Sequence, residues 1–194
     1  MAEVEESKRK ASILVEALPY VRRFRGSIFV VKYGGSFMDS PDPEVRAGVA
    51  RDLVFLNFVG FKVVVVHGGG KAVTRKVAEK GIEANFIDGL RVTDKETIRV
   101  VDEVLNGEVN EEVASFVSSH DCGVQRIPGK EVLSCTKLVS EPDLGFVGDI
   151  ESVRTEPILE ALDEGLMPIL SSTASDADGQ CYNVNADTAA AQIA

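Results

Sequence analysis

Two short runs of β-branched and apolar residues, each ending in consecutive glycines, limit what this chain can fold into more than anything else in it. Ser27 to Lys32 reads SIFVVK and leads into Tyr33-Gly34-Gly35. Lys62 to Val66 reads KVVVV and leads into His67-Gly68-Gly69-Gly70. An apolar run with no alternating polar face suits a strand covered on both sides, which is the situation of a parallel sheet between layers of helix.

The segments around these runs carry helical spacing. Glu44 to Phe58 lies between the two strands, a helix follows Gly70 as far as Lys80, and Asp94 to Leu105 and Glu108 to Ser118 are two further helical stretches. Strand alternating with helix predicts an α/β protein, a three-layer αβα sandwich around a mainly parallel central sheet. Downstream, Val132 to Leu138 and Phe146 to Val153 read as strands of a hairpin-like excursion, Glu156 to Glu164 as a helix and Met167 to Ser171 as one more buried strand. Ahead of the first strand, Ile13, Leu14, Ala17, Leu18 and Val21 form an apolar stripe at helical spacing that needs another surface to cover it. A second subunit is one such surface. Ala186 to Ala194 reads as the opening turns of an alanine-rich helix with no stop signal, so the chain is expected to end within an element.

With 194 residues and 44% hydrophobic content the chain buries a real core. No Gly/Ser/Pro-rich linker divides it, so one lobe is expected after the first helix. Lys and Arg number 21 against 31 Asp and Glu, a formal charge of −10, which argues against nucleic acid or an anionic membrane as the partner. The first residues lack the apolar core of a secretory signal and no apolar run is long enough to span a bilayer. Cys122, Cys135 and Cys181 form neither a CxxC pair nor a group with histidine, so neither a disulfide framework nor a metal site is expected, and a cytoplasmic setting fits best.

Four stretches carry the chemistry. Lys32-Tyr33-Gly34-Gly35 sets a lysine at the carboxyl end of a strand, followed by glycines that let backbone N–H groups approach an anion. His67-Gly68-Gly69-Gly70-Lys71 repeats the design where a helix amino terminus supplies unpaired N–H groups. The carboxyl ends of parallel strands open on the same side, so both loops face one crevice. Taken singly, such glycine-rich turns after strands are more often plain tight turns; neither is a Walker A loop, and no GxGxxG fingerprint is present. In Asp88-Gly89-Leu90-Arg91-Val92-Thr93-Asp94, Arg91 offers a fork for a carboxylate, although a surface ion pair explains it as well, and Thr93 or Asp94 can cap the next helix. In Asn183-Val184-Asn185-Ala186-Asp187-Thr188, three alternate polar side chains emerge as strand gives way to helix, and capping accounts for only one of them. His67 reads as a strand-end hydrogen-bonding residue and His120 as a surface residue.

Taken together, VVKYGG, VVHGGGK, DGLRVTD and NVNADTAA stand in the order and with roughly the spacing found in the N-acetyl-L-glutamate kinases of the amino-acid-kinase family, and the chain resembles them from about Lys10 to its last residue. The opening KASILVEALPYVRRFRG is similar to the extra amino-terminal helix of the hexameric, arginine-inhibited members. The resemblance implies phosphorylation of the γ-carboxylate of N-acetyl-L-glutamate by ATP with Mg2+, in arginine synthesis. It also implies an oligomerisation helix over residues 1–25 and a substrate-binding lobe over 26–194, in a homo-oligomer, a dimer or a hexamer joined through the first helix, with arginine as effector of the full-length protein. By the same resemblance Lys32 and Asp187 are catalytic, Gly34, Gly35 and Gly68 bind phosphate, and Gly69, Gly70, Arg91, Asn183 and Asn185 bind substrate.

The family's second catalytic lysine and its adenine and ribose contacts lie downstream of the NVNAD segment, beyond position 194. Arg126 to Glu131, RIPGKE, departs from the leucine-serine-glycine-lysine-aspartate-glycine turn of many members. A noncatalytic substrate-binding or dimerising domain, or a kinase of another small carboxylate or carbamate, are the alternatives.

Overall fold

The computed structural model describes residues 2–35, 40 and 42–194. Four parallel strands form its centre: β1 (Ile28–Tyr33), β2 (Lys62–His67), β5 (Val124–Ile127) and β8 (Met167–Ser171), in the order β1-β2-β8-β5. β1 and β2 pair over their whole length, from Ile28 opposite Lys62 to Tyr33 opposite His67, which sets the two glycine turns side by side.

The valines of β2 explain why the sheet needs cover on both faces. All four are fully buried; Val63 and Val65 point into one core and Val64 and Val66 into the other, as the two-residue period of a strand requires. The first core is closed by α2 (Pro43–Phe58), α3 (Gly70–Glu79), α4 (Lys95–Glu103) and α5 (Asn110–Ser118), through residues such as Leu53, Val77, Val101 and Val113. The second is closed by α6 (Glu156–Asp163), α7 (Ala186–Ile193) and a mixed sheet of β6 (Leu133–Lys137), β7 (Gly148–Val153), β9 (Thr173–Ser175) and β10 (Cys181–Asn183), in the order β10-β9-β6-β7. The excursion read as a hairpin is the β6/β7 pair of this second sheet.

Three features differ from the sequence reading. β5 is a strand where none was assigned, because Gln125 and Arg126 interrupt the apolar pattern; it pairs with β8 through Val124 opposite Met167 to Ile127 opposite Leu170. The helical stretches on either side of Asn106-Gly107 are not separated, since a π turn over Val104–Val109 carries α4 into α5. A small hairpin, β3 (Phe86–Ile87) and β4 (Leu90–Arg91), turns at Asp88 and Gly89, which have φ of 49° and 81°. An Asp-Gly pair with positive φ at both positions suits a two-residue hairpin turn.

The first helix, α1 (Ala2–Phe24), is longer than its apolar stripe and leaves Leu14, Val15 and Tyr20 about two-thirds exposed. It is tied to the sheet at its end, where the Phe24 ring meets Phe29 and Phe61 edge-on and Gly26 N–H donates to Gly60 C=O at 2.7 Å. Among the described residues no helix is long and apolar enough to cross a membrane.

Gly129 opens the 3-10 turn after β5 and donates its N–H to Ser171 Oγ at 2.9 Å; a Cβ there would overlap the backbone carbonyls of Ser171 and Thr173. Backbone cannot yield as a side-chain tip does, so Gly129→Ala is expected to cost about 3 kcal/mol, read as a lower urea midpoint with unchanged slope.

Candidate active site

β1 delivers Lys32 to the mouth of the sheet, and Gly34 lets it fold back: a Cβ at Gly34 would lie 2.8 Å from Lys32 Cε. Lys32 Nζ stands 3.2 Å from Asp187 Oδ1, with the lysine side chain 35% and the aspartate 72% exposed. A pair so open to water contributes little stability. Asp187 lies in the first turn of α7, where Asn185 Oδ1 accepts from the Asp187 N–H at 2.8 Å and the Thr188 N–H at 3.1 Å. Asn185 is thus the residue of the trio that capping explains, with its amide nitrogen left over.

β2 leads into Gly68, Gly69 and Gly70. Gly68 N–H leans on Tyr33 C=O at 3.4 Å, which joins the two turns. Gly69 is the N-cap of α3 with no side-chain cap bond, so the first N–H groups of the helix have no intrahelical partner and carry its positive end. A Cβ at position 69 would come within 2.6 Å of Leu105 Cδ2 and 3.1 Å of Val109 Cγ2 on the π turn, so a larger residue would require these side chains to shift.

Arg91 comes from β4 and is only 5% exposed, which removes the surface ion-pair reading. Its Nη2 donates to Gly70 C=O at 2.8 Å and Thr74 Oγ1 at 2.7 Å, and the Phe86 ring, opposite it across the hairpin, covers the guanidinium at 4.5 Å. Burial lowers its pKa from the ordinary value, yet a guanidinium stays charged at neutral pH. Its Nη1 is buried without a hydrogen-bond partner among the described residues. A cationic donor left open in this way is an energetic deficit that an anion would relieve.

All ten residues expected at the site, Lys32, Gly34, Gly35, Gly68, Gly69, Gly70, Arg91, Asn183, Asn185 and Asp187, line one cleft of about 400 Å³. Asn183 reaches it from the end of β10, held by its N–H to Phe146 C=O at 3.0 Å. Helix α4 is capped by Asp94, whose Oδ1 accepts from Thr97 N–H at 2.7 Å. Thr93 instead anchors the hairpin, its Oγ1 donating to Arg91 C=O at 2.8 Å.

Sequence reading missed Thr74 and Phe86. The signal for Thr74 was its place one helical turn beyond Gly70; for Phe86 it was the Asp-Gly turn, which pairs it with Arg91.

Behind the second glycine turn lies a buried polar chain. His67 is fully buried; its Nδ1 lies 2.9 Å from Gly68 C=O and its Nε2 3.0 Å from Asn110 Nδ2, consistent with a strand-end hydrogen-bonding role. Asn110 Nδ2 also donates to Ile169 C=O at 3.0 Å, and Asn110 Oδ1 accepts from Arg126 Nε at 2.9 Å. Arg126 goes on to the carbonyls of Asn106 at 3.0 Å and Gly107 at 3.3 Å, and pairs with Glu111.

Residues 27–194 match the amino acid kinase family model, and the chain belongs to the amino acid kinase family. Within it, the chain is similar to acetylglutamate kinases. It is 45% identical over 192 residues to that of Frankia alni (strain DSM 45986 / CECT 9034 / ACN14a), covering 95% of this chain and 55% of that protein. With the acetylglutamate kinase of Petrotoga mobilis (strain DSM 10674 / SJ95) it shares 41% over 187 residues, 95% of this chain and 62% of that one. The chain therefore spans between 55% and 62% of the length of these two relatives. Among solved structures, smu.665 from Streptococcus mutans UA159 superposes with a TM-score of 0.76 at 26% identity, over 86% of this chain and 66% of that one. The N-acetylglutamate synthase from Neisseria gonorrhoeae, complexed with coenzyme A and N-acetyl-glutamate, superposes with a TM-score of 0.78 over 94% of this chain and 42% of that one; at 22% identity this is likeness of fold.

Burial, partly offset by the Gly68 carbonyl and reinforced by the charge of Arg126, pushes the His67 pKa down from 6.5 to about 4. The folded chain therefore keeps His67 neutral where the unfolded chain takes up a proton, so stability falls as pH falls from 6.5 toward 4. At about 1.4 kcal/mol per unit, the loss reaches about 2 kcal/mol by pH 5. Urea unfolding at pH 7 and pH 5 is expected to show this drop in the unaltered chain and a smaller one in His67→Asn.

Proposed function

We propose that this chain is the acceptor-binding part of an enzyme that transfers the γ-phosphoryl group of ATP to the γ-carboxylate of N-acetyl-L-glutamate, as one step of arginine synthesis in the cytoplasm. The observation that carries the reading is the convergence on one cleft of a lysine, two glycine turns and a buried guanidinium whose Nη1 has no partner among the described residues. Two anions must be brought together in this reaction, and each of these groups suits one of them.

In this reading Arg91 takes the α-carboxylate of the acceptor through Nη1, Asn183 and the Asn185 amide nitrogen hold its acetamido end, and Gly69 and Gly70 donate backbone N–H groups to it. Gly34, Gly35 and Gly68 receive the phosphates of ATP, taken up as its magnesium complex. One oxygen of the ionised γ-carboxylate attacks the γ-phosphorus, the bond to the β,γ-bridging oxygen breaks, and N-acetyl-L-glutamyl 5-phosphate and ADP result. No proton has to be removed from the carboxylate, so the work is positioning and charge stabilisation. Lys32, directed by Asp187, stabilises the charge on the transferring group.

Calorimetric titration of the chain with N-acetyl-L-glutamate tests the acceptor site: binding is expected, and Arg91→Ala is expected to weaken it about 10–100-fold, the worth of a charge-assisted hydrogen bond. A folded chain that does not bind sinks the reading. A hydroxamate-trapping assay with ATP and magnesium then separates turnover from binding alone; where acyl phosphate forms, Lys32→Ala is expected to lower its rate about 10²–10³-fold.

The same reading assigns residues 1–25 to subunit association, supported by the exposed Leu14, Val15 and Tyr20 on α1, with residues 26–194 as the substrate lobe. The assembly is a homo-oligomer, a dimer or a hexamer joined through α1, and arginine is an effector of the whole protein. Removing residues 1–26 is expected to lower the number of subunits per particle measured by light scattering; an unchanged number would count against the assignment.

A further inference from the structure

The peptide between Gly68 and Gly69 is among the easiest in the chain to turn over, because neither flanking residue has a Cβ to resist it. Its orientation decides the character of the cleft. In a trans peptide the C=O and N–H point in opposite directions, so one of them faces the cleft and the other the interior. With Gly68 C=O held inward, the Gly69 N–H faces the cleft at the positive end of α3; reversed, a carbonyl oxygen would meet the incoming anion.

The direction of the hydrogen-bond chain behind this peptide follows from one end. Arg126 can only donate, and its Nε is 2.9 Å from Asn110 Oδ1, so the Asn110 amide nitrogen must be the atom 3.0 Å from His67 Nε2. His67 Nε2 then accepts, its proton sits on Nδ1, and Nδ1–H donates to Gly68 C=O at 2.9 Å. Arg126 itself is held by the Asn106 and Gly107 carbonyls of the π turn, and Leu105 and Val109 of that same turn press on Gly69.

We infer that His67 is a positioning residue: through a donor chain that starts at Arg126 and passes Asn110, it holds the Gly68 carbonyl inward so that the Gly69 N–H faces the acceptor's anionic group. The assignment of that anion rests on the function proposed above; the orientation of the peptide does not.

Two substitutions separate the two contacts of the ring. His67→Asn keeps a donor at the place of Nδ1 and loses the acceptor toward Asn110, whereas His67→Gln reaches Asn110 and gives up the donor to Gly68. Both are compared with the unaltered chain by the ¹⁵N–¹H resonance of Gly69 and by titration with N-acetyl-L-glutamate. His67→Gln is expected to displace the Gly69 resonance and weaken binding about tenfold, and His67→Asn to recover most of both. The inference is overturned by a Gly69 resonance unmoved in His67→Gln, or by equal losses in the two variants.

Should the unaltered chain not bind N-acetyl-L-glutamate, the proposed acceptor fails, and the Gly69 resonance in the two variants still decides the positioning role. Should either variant not fold, imidazole ¹⁵N shifts of the unaltered chain decide it: a proton on Nδ1 upholds the chain of donors, and a proton on Nε2 refutes it.

Discussion

Six consecutive parallel pairs between β1 and β2 bring a lysine-bearing turn and a helix-opening turn to the same level at one end of the sheet. A slip of one residue would exchange the faces of Val63 to Val66 and pull the two turns out of line, so core packing and site geometry are enforced by the same register. Because the valines fill both cores without distinction of size, the choice between faces is made by what covers them: α2, α3, α4 and α5 on one side, α6, α7 and the mixed sheet on the other. The mixed sheet and α7 also bring Asn183 and Asp187 to the cleft, and the β3/β4 hairpin brings Arg91.

Two arginines show how the same side chain serves different ends. Arg126 is met by the Asn110 side chain, two carbonyls of the π turn and the Glu111 carboxylate, so its charge is satisfied within the fold. Arg91 is more deeply buried and has two acceptors for one nitrogen, an aromatic ring over its face and nothing for Nη1 among the described residues. Buried polar groups are ordinarily paired. The first arginine is complete in the free chain, and the second keeps Nη1 without a partner among the described residues. The π turn bears on both sides of this division: its carbonyls hold Arg126, and its apolar side chains fit the bare α-carbon of Gly69.

Much of the architecture was legible because it is local. Runs such as KVVVV and the periodic stretch Glu44 to Phe58 declare their period in neighbouring residues, and the turns that end them carry their own glycines. The candidate site was legible for a related reason: parallel strands open on one side, so two glycine turns after two parallel strands face the same end of the sheet, and the pairing of β1 with β2 sets them side by side. β5 was hidden because its exception to the apolar pattern, Arg126, is neutralised by Asn110 and Glu111, 16 and 15 residues earlier in the chain. The π turn was hidden because Asn106-Gly107 has the composition of a break, whereas in the fold its carbonyls receive the Arg126 guanidinium and the Asn106 side chain bonds Asp102 and Ser171.

By itself the sequence determined the alternation of strand and helix, the two-sided burial of the central strands and the presence of anion-friendly turns, since each follows from spacing within a few residues. The tertiary structure decided which polar groups are left open. That Arg91 is buried and short of a partner among the described residues, that Asn185 spends its oxygen on a helix cap and that His67 is neutral behind Gly68 all depend on how the folded chain encloses these groups. Desolvation and hydrogen-bond supply are properties of that enclosure, and no residue carries them alone.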